Sequence, residues 1–451
     1  MARIAIDFNR VTGKIREMHS VGQPPFGTAM RGIDFSPMQF LVDAHIPHSR
    51  LHDVGGAFGG NRYVDIPNIF RDFDADENDP ASYHFAFTDA LLAGMAEYGI
   101  SPIFRLGVTI ENQCFIEAFN IFPPKDYDKW ARICEHIVRH YNEGWANGFH
   151  YGIVYFEIWN EPENGHTLDT NQMWQGTPEE YYRLYDVTAK HLKACFGDTI
   201  KVGGYAACNC RGYFYDPEKY GLSCPPIPKD EKYDRYMYRI TFLEGFLAYI
   251  REKGSPMDFF SWHSYEDTEE TFLMDKAHQH ILEKYGYGDV ERQLNEWNNA
   301  YGWEPHGTLY AAAAAASMMI AMQHSHTDML CYYDAKLTAG AYGGFFQPLS
   351  RIPTPAYYAF RAFGELYALG SEVTCESDTC GLYALAAVGE NGERAVIIAN
   401  RTGAAQEIKT DEKGLTVRLL NENEMLTETT WDSTGFTLAE NEVALLSSRR
   451  K

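Results

Sequence analysis

No apolar run in this 451-residue sequence approaches the ~18 residues of a helical membrane span. Positive charge is scarce as well. The 39 Lys and Arg stand against 62 Asp and Glu, a formal net charge of −23. So acidic a chain is poorly suited to duplex DNA, RNA or anionic membranes as partners. The amino-terminal MARIAIDFNRVTGKIREM alternates apolar and polar residues as a strand does, without the continuous apolar core of a secretory signal. Cysteine is sparse: nine residues, odd in number and scattered, fit reduced thiols better than a disulfide framework. Together these features predict a cytoplasmic location. There is no internal repeat or low-complexity linker, and no glycine-rich phosphate-binding turn follows the first strand. With 45% hydrophobic and 22% charged residues, the chain can bury a large core. Its length accommodates one α/β barrel of roughly 250 residues plus a smaller domain.

The middle of the chain alternates short β-like runs with helical patterns, as parallel β/α units do. A first strand near His19–Gly22 is followed by Ser49–Val54, Ile100–Leu106, Gly152–Trp159, Ile200–Tyr205, Met257–Tyr265, Arg292–Trp297 and Met329–Asp334. Eight such units predict a (β/α)8 TIM barrel rather than an open sheet. Two helices stand out. Tyr127, Trp130, Ile133, Cys134, Ile137, Val138 and Tyr141 form one apolar stripe from Asp126 to Asn142. Thr177-Pro178-Glu179-Glu180 is a capping box with proline in the first turn, opening a second helix. Beyond Leu337 the rhythm shortens. Leu382–Val388 and Ala395–Asn400 flank the turn signal Gly389-Glu390-Asn391-Gly392, and Thr416–Leu420 and Val443–Leu446 continue the pattern. The expected organisation is an α/β barrel over 17–337 and a C-terminal all-β sandwich over 338–451, which the strand within 1–16 joins.

Two motifs carry chemistry. Phe156-Glu157-Ile158-Trp159-Asn160-Glu161-Pro162 is an apolar β run ending in Asn-Glu-Pro. That places Glu161 at the carboxyl end of a barrel strand, the face where barrel enzymes keep their active sites. Gln293-Leu294-Asn295-Glu296-Trp297-Asn298 ends another β run in a carboxylate among aromatic and amide groups. The two glutamates are 296 − 161 = 135 residues apart, which suits the ends of the fourth and seventh strands. Two carboxyls facing each other across a barrel mouth are the minimum equipment for glycosidic bond cleavage. A solvated strand-end acid is the alternative for either glutamate alone.

The chain resembles glycoside hydrolase family 39, the β-xylosidase and α-L-iduronidase family of a retaining barrel clan. The resemblance runs through Pro123–Trp130, Phe156–Pro162, Glu180–Tyr185, Val202–Gly204, Asp258–Tyr265, Asn295–Asn298 and Pro355–Phe360. It implies Glu161 as general acid/base and Glu296 as nucleophile. It further implies Asn160 at the sugar 2-hydroxyl, Arg50 near the nucleophile and His52 on the glycone. His263 and Tyr265 would support the acid and the nucleophile respectively. The expected activity is a retaining, exo-acting glycoside hydrolase on a small carbohydrate, β-xylosidase-like by default, with no cofactor or metal. Other glycones, transglycosylation and a non-catalytic sugar-binding barrel are the alternatives. A homo-oligomer is compatible with this reading. A working Glu161 would require a raised pKa, from burial and an ionised Glu296.

The chain departs from the family at Cys331-Tyr332-Tyr333-Asp334-Ala335-Lys336, where a Tyr-Trp pair is usual, and at Glu163, where the xylosidases commonly have asparagine. Lys336 could meet a uronic carboxylate or simply be solvated. Trp174, Trp303, Tyr301, Phe345 and Phe346 are candidates to wall the site, and Trp303 is taken as substrate-binding. The long segment from Gly55 to Asp79 is expected to help close the mouth into a pocket. Asp72, Asp74, Asp76 and Asn78 echo a calcium loop without its glycine and final glutamate. Cys208, Cys210 and Cys224 lack zinc-ligand spacing.

Overall fold

The computed structural model describes residues 2–30, 32–54, 63–110, 121–337, 342, 344–348 and 350–448. Eight parallel strands close into a barrel in chain order: Glu17–Gly22, His48–Leu51, Ser101–Leu106, Tyr155–Ile158, Lys201–Ala207, Phe259–Ser264, Glu291–Trp297 and Met329–Tyr332. The helices between them carry apolar faces onto the barrel. Tyr127–Asn142 buries Trp130, Ile133, Cys134, Ile137, Val138 and Tyr141, and Asp126 caps its start by accepting from Lys129 N. Pro178–Phe196 opens with the full capping box between Thr177 and Glu180. The helix after the eighth strand, Pro355–Leu369, packs on its predecessor Leu309–Met322. Where the fifth and sixth strands pair at Gly203 and Phe259, a Cβ on Gly203 would sit 2.2 Å from the Phe259 carbonyl oxygen, so only glycine fits.

Nine strands form the second sheet, with Ala2–Lys14 inside it between Ser371–Ser377 and Gln406–Thr410. Alternation along each strand splits its side chains between two cores. In Arg394–Asn400, Val396 and Ile398 enter the interior of the sandwich, beside Ile4, Val417, Ile408 and Leu438. Ala395, Ile397 and Ala399 face the other way, into the core shared with the barrel helices. The sheet therefore has one apolar face for itself and one for the barrel. No helix of the described residues is long and apolar enough to cross a membrane. The eight described cysteines are all unpaired, and Cys114 lies outside the described residues.

Candidate functional site

Bends at the carboxyl ends of the barrel strands build the site. Trp159 and Glu161 follow the fourth strand with φ of 74° and 46°, left-handed conformations that non-glycine residues seldom adopt. The Glu161 N–H bonds the Ala206 carbonyl. Beneath it the Trp159 indole donates to the Met173 carbonyl and meets Trp174 edge-on. The seventh strand carries a bulge. Leu294 pairs with Trp262 and Glu296 with His263, leaving Asn295 as the extra residue. In a regular strand, neighbours 295 and 296 would point to opposite faces. The bulge lets both turn inward, so that Asn295 reaches Glu157 while Glu296 reaches Arg50.

Arg50 is the hub. Its Nε donates to Glu157 Oε2 at 2.8 Å, Nη1 to Glu296 Oε2 at 3.0 Å and Nη2 to Asn160 Oδ1 at 2.6 Å. Burial opposes its charge, but Glu157 and Glu296 outweigh that and raise its pKa. Glu157 is satisfied in turn by Ser261 and Asn295. Tyr265 completes the hold on Glu296, donating to Oε1 at 2.5 Å. Because Asn160 spends its oxygen on Arg50, its buried Nδ2 remains without a partner and available to a ligand hydroxyl.

Glu161 is 8% exposed and Glu296 7%. His263 lies between them, its Nδ1 2.8 Å from Glu161 Oε1 and its Nε2 3.8 Å from Glu296 Oε2. The two carboxylates and this ring each offer an atom within 4.8 Å of the others. Burial would raise the Glu161 carboxyl, but the His263 bond and charge, joined by Arg239 and Asn164, override it and hold the group at about 2. This corrects the raised value expected from the sequence: a close charge-assisted bond and the neighbouring charges together outweigh desolvation. Glu163, two residues on, behaves in the opposite way. Burial pushes it up to about 8 against the pull of Arg239, and its Oε1 accepts from Cys208 N. His52 is also buried. Desolvation, then Arg105 and Arg50, drive its pKa well down, so the ring is neutral.

Seven of the eight residues named from the sequence thus meet at one centre: Glu161, Glu296, Asn160, Arg50, His52, His263 and Tyr265. Trp303 does not join them; it stands 66% exposed. The rings beside Glu296 are Tyr265, Tyr301 and Tyr342, packed edge-on, tilted or stacked with centroids 5.1–5.8 Å apart. Trp174 is buried under the acid-bearing turn, and Phe345 and Phe346 are buried among other rings, so none of the three lines an open wall. Part of the Gly55–Asp79 segment, residues 55–62, lies outside the described residues. Lys336 bonds Asp334 Oδ1 through its backbone N–H.

The sequence reading gave no role to Glu157. A carboxylate inside an apolar strand is itself a signal, since a buried charge needs a partner, and here that partner is Arg50.

Among the described residues, two groups could each share a metal ion: Glu135, His191 and Cys195, and the central Glu161, His263 and Glu296. In the second, a cation would have to displace donors that already satisfy both carboxylates. The acidic loop at Asp72–Asn78 spends Asp72 and Asp76 on its own backbone N–H groups.

A sequence profile for glycosyl hydrolases family 39 matches residues 4–339. A β-xylosidase from Geobacillus stearothermophilus is 24% identical over 362 residues, covering 70% of this chain and 63% of that protein. A β-xylosidase from Caldicellulosiruptor saccharolyticus is 22% identical over 365 residues, 73% of this chain and 66% of its own. The chain thus spans just under two thirds of the length of these relatives. In overall fold it is similar to a glucosidase from Croceicoccus marinus, with a TM-score of 0.76 at 20% identity over 100% of this chain and 99% of that one. It is also similar to a family 39 β-xylosidase from Caulobacter crescentus, with a TM-score of 0.65 at 18% identity over 99% and 100% of the two chains.

Proposed function

Because the chain belongs to glycosyl hydrolases family 39, we propose that it is a retaining, exo-acting glycosidase of small glycosides. Glu161 is its acid/base, Glu296 its nucleophile, and β-xylosides are the default substrates. The observation that carries this reading is the spacing of the two glutamates, whose carboxylates come within 4.8 Å. So close an approach of one oxygen of each favours the ~5–5.5 Å group separation of double displacement over the ~6.5–9.5 Å that admits a water between the acids. β-Xylosides are preferred because two of the matched relatives carry that name.

Arg50 and Tyr265 hold Glu296 in place to face the anomeric carbon, and Asn160 Nδ2 is free for the neighbouring hydroxyl. The Glu161–His263 pair carries one proton between Oε1 and Nδ1. As the glycosidic C–O bond breaks, that proton passes through Glu161 to the leaving oxygen while Glu296 forms the new bond to carbon. Water then enters, Glu161 takes its proton, and the ester at Glu296 is cleaved with overall retention.

The test compares Glu296→Ala and Glu161→Ala on nitrophenyl and alkyl glycosides. Glu296→Ala should be inactive on both, with azide restoring turnover as the inverted glycosyl azide. Glu161→Ala should still form the covalent intermediate from nitrophenyl substrates, which need little protonation. Equal loss on both substrate types in both variants, or an inverted product from the unmodified enzyme, would overturn the assignment.

A further inference from the structure

Four side chains at the base of the site have no part in that chemistry: Gln23, Asp53, Tyr333 and Asp334. They follow the first, second and eighth strands, which are neighbours in the barrel. Gln23 and Asp53 are held at φ of 53° and 54°, strained conformations that collect at ligand-binding positions. The Tyr333 hydroxyl ties them together, accepting from Gln23 Nε2 at 2.6 Å and donating to Asp53 Oδ2 at 3.0 Å. The other Asp53 oxygen lies 3.3 Å from His52 Nε2. Asp53, Tyr333 and Asp334 all feel the charge of Glu296, which puts them within electrostatic reach of the nucleophile. Around them, Gln23 Oε1, both ring nitrogens of His52 and Asn160 Nδ2 are buried without hydrogen-bond partners. Buried polar atoms are rarely left so, and a polyhydroxylated ligand would supply what they lack.

The charge balance says which kind of ligand. Arg50 is matched by Glu157, and Arg105 by Asp65 at 2.5 Å. Arg50 also pairs with Glu296, and the charge of Arg105 also acts on Asp53, so with Lys336, whose charge acts on Asp334, three cations meet five carboxylates. Carboxylates accept well from sugar hydroxyls, and such charge-assisted bonds are strong. A uronic acid would add another negative group to a buried, already acidic floor, where an uncompensated charge is costly.

We propose that Asp53 and Asp334, with Tyr333 bridging to the first strand, set glycone specificity: they bind the hydroxyls remote from the anomeric carbon and so select a neutral sugar while excluding uronides. This rests on the reading of Glu161 and Glu296 above. It also removes the uronide-binding role considered for Lys336.

The experiment measures kcat/KM of the unmodified enzyme, Asp53→Asn, Asp334→Asn and Tyr333→Phe on nitrophenyl β-xyloside, β-glucoside, β-galactoside and β-glucuronide, which share one leaving group. The unmodified enzyme should favour its best neutral glycoside over the glucuronide by at least about 100-fold. Each Asn variant should lower kcat/KM on that glycoside by about 10–100-fold and narrow its ratio to the glucuronide. Tyr333→Phe should do the same to a smaller extent. Near-ultraviolet circular dichroism identifies folded variants, and if one Asn variant misfolds the other decides. A preference for the glucuronide overturns the proposal, as does neutral-glycoside kcat/KM within threefold of the unmodified enzyme in the folded Asn variants. Turnover of none of the four substrates, or full turnover by Glu296→Ala, would instead overturn the underlying assignment and this proposal with it.

Discussion

Removing one member of a buried ion pair costs more than the pair contributes, because the survivor keeps its charge with less to meet it. Glu157 is such a member. Its side chain and that of Arg50 are essentially inaccessible, at 2.7 Å. Glu157→Ala should destabilise the protein by about 3 kcal/mol, read as a lower urea midpoint at unchanged slope. Glu157→Gln keeps an acceptor for Ser261 and Asn295 and should cost less. At this scale the sequence was informative where a carboxylate ends an apolar run, as at Glu161 and Glu296. It was silent where the backbone departs from regular geometry. Nothing in Leu294-Asn295-Glu296 announces a bulge, so the inward turn of Asn295 was not legible. Trp303 misled because an aromatic in a loop beside a site looks the same in sequence whether it faces the ligand or the solvent.

Each of the eight barrel strands was legible as an apolar run, but several are shorter than the run suggests. The fourth begins at Tyr155 rather than Gly152, because Asn142 closes a side-chain clamp on the Ile153 N–H and carbonyl and takes that residue out of the ladder. Helices were legible only where one face is wet. Leu309–Met322 is buried on nearly every side, against neighbouring helices and the second sheet, so its alanine and methionine run has no stripe to read. The capping box at Thr177 was fully written in the sequence. Thr177→Ala removes the acceptor for Glu180 N and should lower stability by about 1 kcal/mol, seen as a reduced melting temperature with the helical signal otherwise retained.

Among the described residues, four carboxyls have raised pKa values. Burial lifts Asp53 to about 6, Asp334 and Glu270 to about 7 and Glu163 to about 8. An acid whose folded pKa lies above its unfolded one stabilises the fold below the unfolded value and loses that contribution as pH rises through the folded value. The melting temperature should therefore fall as pH rises from about 5 to about 8 through these groups. Glu163→Gln, which cannot ionise, should flatten that fall, with a gain of about 1 kcal/mol or more at pH 8 and almost none at pH 5; an unchanged slope in pH-dependent melts would refute it. Glu161, lowered to about 2, has the opposite sign and contributes above the usual carboxylate range, to be lost only in strong acid.

The ring of His263, set between two carboxylates that come within 4.8 Å, has one more consequence on the proposed mechanism. Before reaction the unit negative charge sits on Glu296, and the protonated pair is neutral. After the first step Glu296 is an uncharged ester and the pair, having given up its proton, bears the negative charge instead. The total never changes; a single charge hops a few ångströms across an imidazole and later hops back. An enclosed centre that keeps its net charge constant through every step has no need to admit a counterion or to open to solvent for electrostatic reasons.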